Sequence, residues 1–139
     1  MDILRSWVIA TVVFIGLSLL LEASVGRHSW TAPLYLIPPA LAAACACAYH
    51  AEHGTGGWLR HLAAVFPLPV LLQSRHVILN GVPEVTAEWV DAGQEVGIAG
   101  GTAAVGFLIV MTTRALMLSR RQHSVSASEG GIRTHATRY

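Results

Sequence analysis

Two cysteines and three histidines lie within the stretch 42-AAACACAYHAEHGTGGWLRH-61, and their spacing suggests metal chemistry. On a continuous helix, Cys47, His50 and His53 follow one another at intervals of three and form a slowly drifting stripe. Thiolate and imidazole are good ligands for zinc or copper, and His61 could return from the following turn as a fourth ligand. A histidine pair is also able to ligate haem. One interpretation is therefore a Zn, Cu or haem centre.

The same stretch also has the composition of a packing helix. Its cysteines sit in an alanine run, where cysteine behaves as a small hydrophobic residue. Ala40, Ala44 and Ala48 recur at the small-xxx-small spacing that lets membrane helices approach closely. The histidine and cysteine spacing also matches no zinc-finger or HExxH pattern. We therefore prefer helix packing as the role of this stretch, with metal binding as the alternative and no cofactor expected.

A second candidate is a charge cluster around Arg75 and His76, at the end of a long apolar stretch. A charge at membrane depth costs about 2.5–3.5 kcal/mol even on the mildest scale, so it usually faces protein or water. Glu84, Glu88 and Glu22 are natural partners for it. Such a group in a cavity could bind an anion or relay protons in a small transporter or channel. The alternative is an arginine that reaches to the interface.

The segment 83-PEVTAEWVDAGQE-95 predicts a short amphipathic helix at the outer membrane surface. Four carboxylates fall within a narrow arc of that helix, at spacings of four, three and four. A row of oxygen ligands suits hard cations such as calcium or magnesium, although a solvated face is the preferred interpretation.

The glycine-rich stretch 97-GIAGGTAAVG-106 predicts close helix–helix contact. Gly97 and Gly101 have GxxxG spacing, and Thr102 and Gly106 repeat it. Small residues let two helix backbones approach each other, either within one chain or between chains. We therefore assign Gly97 and Gly101 to packing.

Composition places the whole chain in a membrane. Apolar residues make up 53% and charged residues only 12%, against roughly 25% charged in a soluble domain. No basic patch with interleaved aromatics appears, so nucleic-acid binding has no support. No phosphate loop, nucleophile elbow or zinc-protease motif appears either, and we expect a non-enzymatic protein. The absence of lysine suits a GC-rich prokaryotic genome.

Hydropathy predicts an all-α, four-helix transmembrane bundle over residues 1–121, with the amphipathic helix before the last span. Each segment has about the length that a bilayer core requires. Pro67 and Pro69 interrupt the third span, so a kinked or re-entrant segment is the alternative there. The predicted spans are approximately 6–26, 29–49, 58–79 and 96–118.

Arginine placement predicts that both termini are cytoplasmic in a multi-pass cell-membrane protein, because arginines gather on that side. Residues 122–139 are polar and unpatterned, which predicts a disordered cytoplasmic tail. The final 130-GGIRTHATRY-139 resembles a translated antisense strand of a tRNA gene, which suggests a reading-frame artefact; an ordinary unstructured tail is the alternative.

These features predict a small polytopic membrane protein that acts as an accessory or self-associating component. Its expected partners are the lipid bilayer and either a second copy or another membrane subunit. One alternative is a metal- or haem-binding membrane protein that uses Cys47, His50 and His53. The other is a small transporter or channel that uses Arg75 and His76.

Overall fold

The computed structural model describes residues 1–25, 32–75 and 83–136, with side chains described through residue 122 except at 25, 32, 34 and 35. Within these ranges the chain is all-helical and contains no strand. The five helices are α1 (Asp2–Val25), α2 (Ala32–His53), α3 (Trp58–Val65), α4 (Pro67–Gln73) and α5 (Thr86–Ala136).

Two of the helices, α1 and α5, are long and apolar enough to cross a membrane. Most of their side chains lie on the outside of the structure, unlike those of a core helix in a soluble protein. On α1, the exposed positions Leu4, Val8 and Val12 recur at intervals of four, and Leu19 continues the apolar surface. Soluble monomers rarely expose so large a continuous apolar surface.

Helix α2 lies between α1 and α5 and packs against both. It contacts α1 through alanines, with Ala42 and Ala46 beside Phe14 in one buried cluster. It contacts α5 through a second cluster that includes Cys47 and Phe107. The two contacts use different faces of α2, which makes it the central helix.

The closest approach between α2 and α5 occurs at Gly106. A Cβ built on Gly106 would overlap the backbone carbonyl of Ala40, so only glycine fits there. Further along both helices, Ala48 and Arg114 line a common groove. Residue numbers therefore increase in the same direction along both helices, and α2 and α5 are parallel.

The predicted third span is broken into two helices at Phe66, where α3 ends and α4 begins. Pro67 explains the break, because it has no N–H and its ring clashes with the carbonyl four residues earlier. That carbonyl belongs to Ala63, and it accepts a hydrogen bond of 3.0 Å from Trp7 Nε1. The indole of α1 thus takes the place of the amide that proline lacks.

The α3–α4 pair runs alongside α1 from one end towards the other. Near its start, Ala63 is bonded to Trp7, and at the far end Arg75 lies 3.7 Å from Glu22. The two contacts on α1 are fifteen residues apart, about 22 Å along a helix. The segment predicted as the third span, 58–79, therefore contains two short helices with the interruption at its prolines. Residues 76–79 lie outside the described residues, and a full crossing of the membrane stays a prediction.

The acidic segment is not a separate surface helix, because α5 continues from Thr86 into the apolar stretch without a break. Just before it, the backbone N–H of Glu84 donates to Glu88 Oε2 at 2.8 Å. The helix backbone continues through the predicted tail as far as Ala136. Side chains beyond 122 lie outside the described structure, and a disordered cytoplasmic tail over 122–139 stays a prediction.

Candidate functional site

A tight glycine turn brings α3 back over the end of α2. The backbone N–H of Gly54 donates to the carbonyl of His50 at 2.8 Å, and a Cβ on Gly54 would overlap that carbonyl and the imidazole. Gly56 has φ of +118°, a conformation that L side chains rarely adopt. Because of this turn, His61 on α3 faces the last turns of α2.

The turn assembles a cluster of Cys47, His50 and His61. Cys47 Sγ lies 3.3 Å from His61 Nε2, and the His50 and His61 rings are 5.0 Å apart. Cys47 is fully buried and His50 is only 4% exposed. His50 Nδ1 is buried and finds no hydrogen-bond partner in the described structure. A buried imidazole nitrogen without a hydrogen bond destabilises the fold, so this position is suited to a bound ligand or a hydrogen-bond donor.

Aromatic rings close the cluster on the side of α5. Phe107 lies 5.6 Å from the His61 ring and 5.4 Å from Trp58, in edge-to-face geometry with both. Trp58 is in turn stacked with His61 at 6.4 Å. These ring contacts fix the orientation of the imidazole relative to Cys47.

His53, the third predicted ligand, does not join the cluster. Its exposed ring stacks on Tyr49 at 4.6 Å, and its Nδ1 lies 3.2 Å from the Tyr49 carbonyl oxygen. Each step of three residues turns a helix about 60° short of a full rotation. Two steps from Cys47 therefore move His53 about 120° around α2, away from α3. Its place is taken by His61, which the sequence had suggested only as a fourth ligand.

The Cys47–His61 pair has a separation suited to two ligands of one metal ion. Tetrahedral zinc with bonds of about 2.3 Å to sulfur and 2.0–2.1 Å to nitrogen places the two atoms about 3.5 Å apart. In the described part of the chain, however, no group of three or more His, Cys, Asp or Glu side chains is arranged to hold an ion. A complete site would require the His50 ring to turn towards the pair.

The predicted charge cluster is only partly assembled in the structure. Arg75 pairs with Glu22, and both side chains are about half exposed, at 50% and 54%. The backbone N–H of Glu84 donates to the carboxylate of Glu88 in the first turn of α5. His76 lies outside the described residues. An exposed pair of this kind contributes at most about 1 kcal/mol.

The small residues divide between inward and outward faces. On α2, Ala40 contacts Gly106 and Ala44 is half-buried, while Ala48 is exposed beside the groove. On α5, Gly97 and Gly101 are exposed, and a Cβ on either would meet nothing within 4 Å. The close contact between α5 and α2 is made by Gly106. The sequence analysis had noted Gly106 only because Thr102 and Gly106 repeat the GxxxG spacing.

Comparison with known proteins gives no match: no family model, no curated protein and no solved structure matches this chain. The geometry of the described residues is therefore the basis for the function proposed below.

Proposed function

We propose that this chain is a four-pass membrane protein whose role is non-enzymatic association with other membrane helices, first of all with a second copy of itself. The observation that carries the proposal is the glycine face of α5, formed by Gly93, Gly97 and Gly101. This face is exposed and open, although glycine at all three positions lowers helix propensity.

The order of the helices supports four passes. Helices α1 and α2 are joined by the short segment 26–31 and pack side by side, which requires them to be antiparallel. The broken α3–α4 pair then runs back along α1, and α5 is parallel to α2. Non-helical backbone at membrane depth is tolerated when protein buries it or satisfies its carbonyls, as Trp7 does for Ala63.

Arginine placement supports cytoplasmic termini in the cell membrane. The start of α1, the end of α2, the start of α3 and the end of the apolar part of α5 lie at one end of the bundle. Most of the arginines belong to this end, as the positive-inside rule requires of a cytoplasmic side. They are Arg5, Arg60, Arg114, Arg120 and Arg121.

The glycine face of α5 points away from the rest of the chain. At about 100° per residue, the nine residues from Gly97 to Gly106 turn the helix by about 180°. Gly106 packs against α2, so Gly97 lies on the opposite side. Exposed Val105 and Leu108 continue the face. A smooth apolar face with glycines at intervals of four is the surface that GxxxG helix pairs use.

Gly97→Leu or Gly101→Leu is expected to weaken self-association by about five- to 150-fold. The added side chain holds the backbones apart at a cost of about 1–3 kcal/mol, and 1.4 kcal/mol is tenfold. Light scattering of the full chain in mild detergent, over a range of protein-to-detergent ratios, measures the dissociation constant.

Gly16→Leu on α1 is the matched control, because Gly16 is also exposed with no atom within 4 Å of its added Cβ. It should leave the dissociation constant unchanged. Self-association that survives both α5 substitutions, or that Gly16→Leu weakens equally, would remove the support for this face.

Metal binding at the Cys47–His61 pair is a second candidate function, favoured by their 3.3 Å contact. We expect zinc or copper to bind the purified chain stoichiometrically. Cys47→Ser or His61→Ala should lower the metal affinity more than about tenfold, because loss of a residue that only hydrogen-bonds a metal ligand already lowers affinity about tenfold or more. Elemental analysis and metal titration measure this, with His53→Ala as the unaffected control. Less than one metal ion per unmodified chain would contradict zinc or copper binding. The absence of a Soret band in the absorbance spectrum would contradict the haem alternative.

A further inference from the structure

A groove of about 420 Å³ lies between α2 and α5 at the end of the bundle where the arginines gather. Ile109 and Val110 form an apolar part of its wall, and the part further along α5 carries Arg114 and Arg121, with Met117 and Leu118 between them. Glu52 is its one carboxylate. The groove shares no lining residue with the glycine face or with the cysteine–histidine cluster.

Helix geometry places the two arginines on the same side of α5. Arg114 and Arg121 are seven residues apart, so they are about 20° apart around the axis and about 10 Å apart along it. Arg120 is not among the lining residues and lies about 100° away from Arg121. Arg114 and Arg121 therefore face the groove, and Arg120, which does not line it, can serve as a control.

We propose that this groove binds one anionic phospholipid from the cytoplasmic leaflet, with its phosphate between Arg114 and Arg121 and an acyl chain against the apolar wall. The inference rests on the proposed membrane placement. Basic pockets between membrane helices on the cytoplasmic side commonly hold anionic headgroups, because anionic lipids are enriched in that leaflet. Glu52 disfavours a second phosphate and can accept a hydrogen bond from a headgroup hydroxyl.

A lipid fits this groove better than a soluble anion. A free phosphate could contact the guanidinium groups but would leave the surface of Ile109 and Val110 uncovered. Arg121 follows the apolar part of α5, and the long side chain of Arg114, about one turn before the end of the predicted span, can reach the same headgroup layer. Arg114 and Arg121 thus match a headgroup phosphate, and Ile109 and Val110, which precede both arginines along α5, match an acyl chain.

Native mass spectrometry of the full chain in nonionic detergent tests the inference, with phosphatidylglycerol and phosphatidylcholine as the two probes. We expect one phosphatidylglycerol to be retained, and phosphatidylcholine not to be. Arg114→Gln and Arg121→Gln should each lower the retained fraction roughly five- to tenfold, because each removes one cationic contact with the headgroup. Ala48→Phe, which fills the groove without changing charge, should lower it as well.

Arg120→Gln is the matched control and should retain the lipid. Equal losses in Arg120→Gln and Arg114→Gln would overturn the inference, because general surface charge would then explain the binding. Competition by millimolar inorganic phosphate would also overturn it, in favour of a soluble anion. Insertion of the chain into phosphatidylcholine vesicles is measured separately, so that a failure of the membrane proposal is distinguishable from a failure of the lipid site.

Discussion

Gly106→Ala is expected to destabilise the helix bundle by about 1–3 kcal/mol, the usual cost of overpacking. In a helix interior, alanine is normally favoured over glycine by about 0.5–1 kcal/mol. At Gly106 the new methyl group would overlap the carbonyl of Ala40, which is backbone and cannot rotate away. Helices α2 and α5 must therefore separate and loosen the contacts around Phe107. Thermal unfolding of the full chain in detergent, followed by circular dichroism, measures the change.

Gly16→Ala on α1 is the control for helix propensity, since it makes the same substitution outside the proposed association face with nothing within 4 Å of the added Cβ. It should leave stability unchanged or raise it slightly. If both substitutions shift the unfolding midpoint alike, the close approach of α2 and α5 at Ala40 is wrong. Only the Gly106 variant should disturb the fold of the single chain.

Trp7→Phe is expected to destabilise the bundle by about 0.5–1.5 kcal/mol, because it removes the hydrogen bond to the Ala63 carbonyl. Phenylalanine keeps an aromatic ring but removes the N–H donor. The amide that would ordinarily serve this carbonyl is missing at Pro67, so the helix cannot repair the loss itself. Thermal unfolding in detergent again measures the effect, with Trp89→Phe as a control on an exposed tryptophan.

A double-mutant cycle with Pro67→Ala isolates the hydrogen bond. Alanine at 67 supplies the backbone N–H that proline lacks, and this N–H can reach the Ala63 carbonyl. Trp7→Phe should therefore cost less in the Pro67→Ala background than in the unmodified chain, by an interaction energy of about 0.5–1.5 kcal/mol. Equal costs in both backgrounds would show that Trp7 contributes through ring packing alone.

The break in the third apolar segment shows which features can be predicted from local sequence and which cannot. Pro67 and Pro69 predict an interruption because a missing N–H and a steric clash are properties of the residue itself. The partner of the freed carbonyl is not local, since Trp7 is 56 positions away from Ala63. Nothing near Pro67 identifies it. The interruption could be predicted, whereas the contact that stabilises it could not.

The cysteine–histidine cluster and the glycines show the same division. Residue types and spacing identified Cys47 and His50, and the glycine spacing identified α5 as a packing helix. They did not show that His61 replaces His53, because that depends on where the glycine turn directs α3. They also did not show that Gly106 makes the contact with α2, while Gly101 lies on another face of α5.

Composition, hydropathy and proline positions were sufficient for an all-helical, strongly apolar chain and for a break in its third apolar segment. These features depend on the covalent properties and local order of the residues. Which faces contact each other was decided only by the tertiary packing. It places α2 between α1 and α5, His61 beside Cys47 and Trp7 against Ala63, and it forms the groove at Arg114. A periodic pattern defines a face relative to its own helix axis. It does not define how that helix is rotated and shifted against a neighbour, which non-local contacts determine.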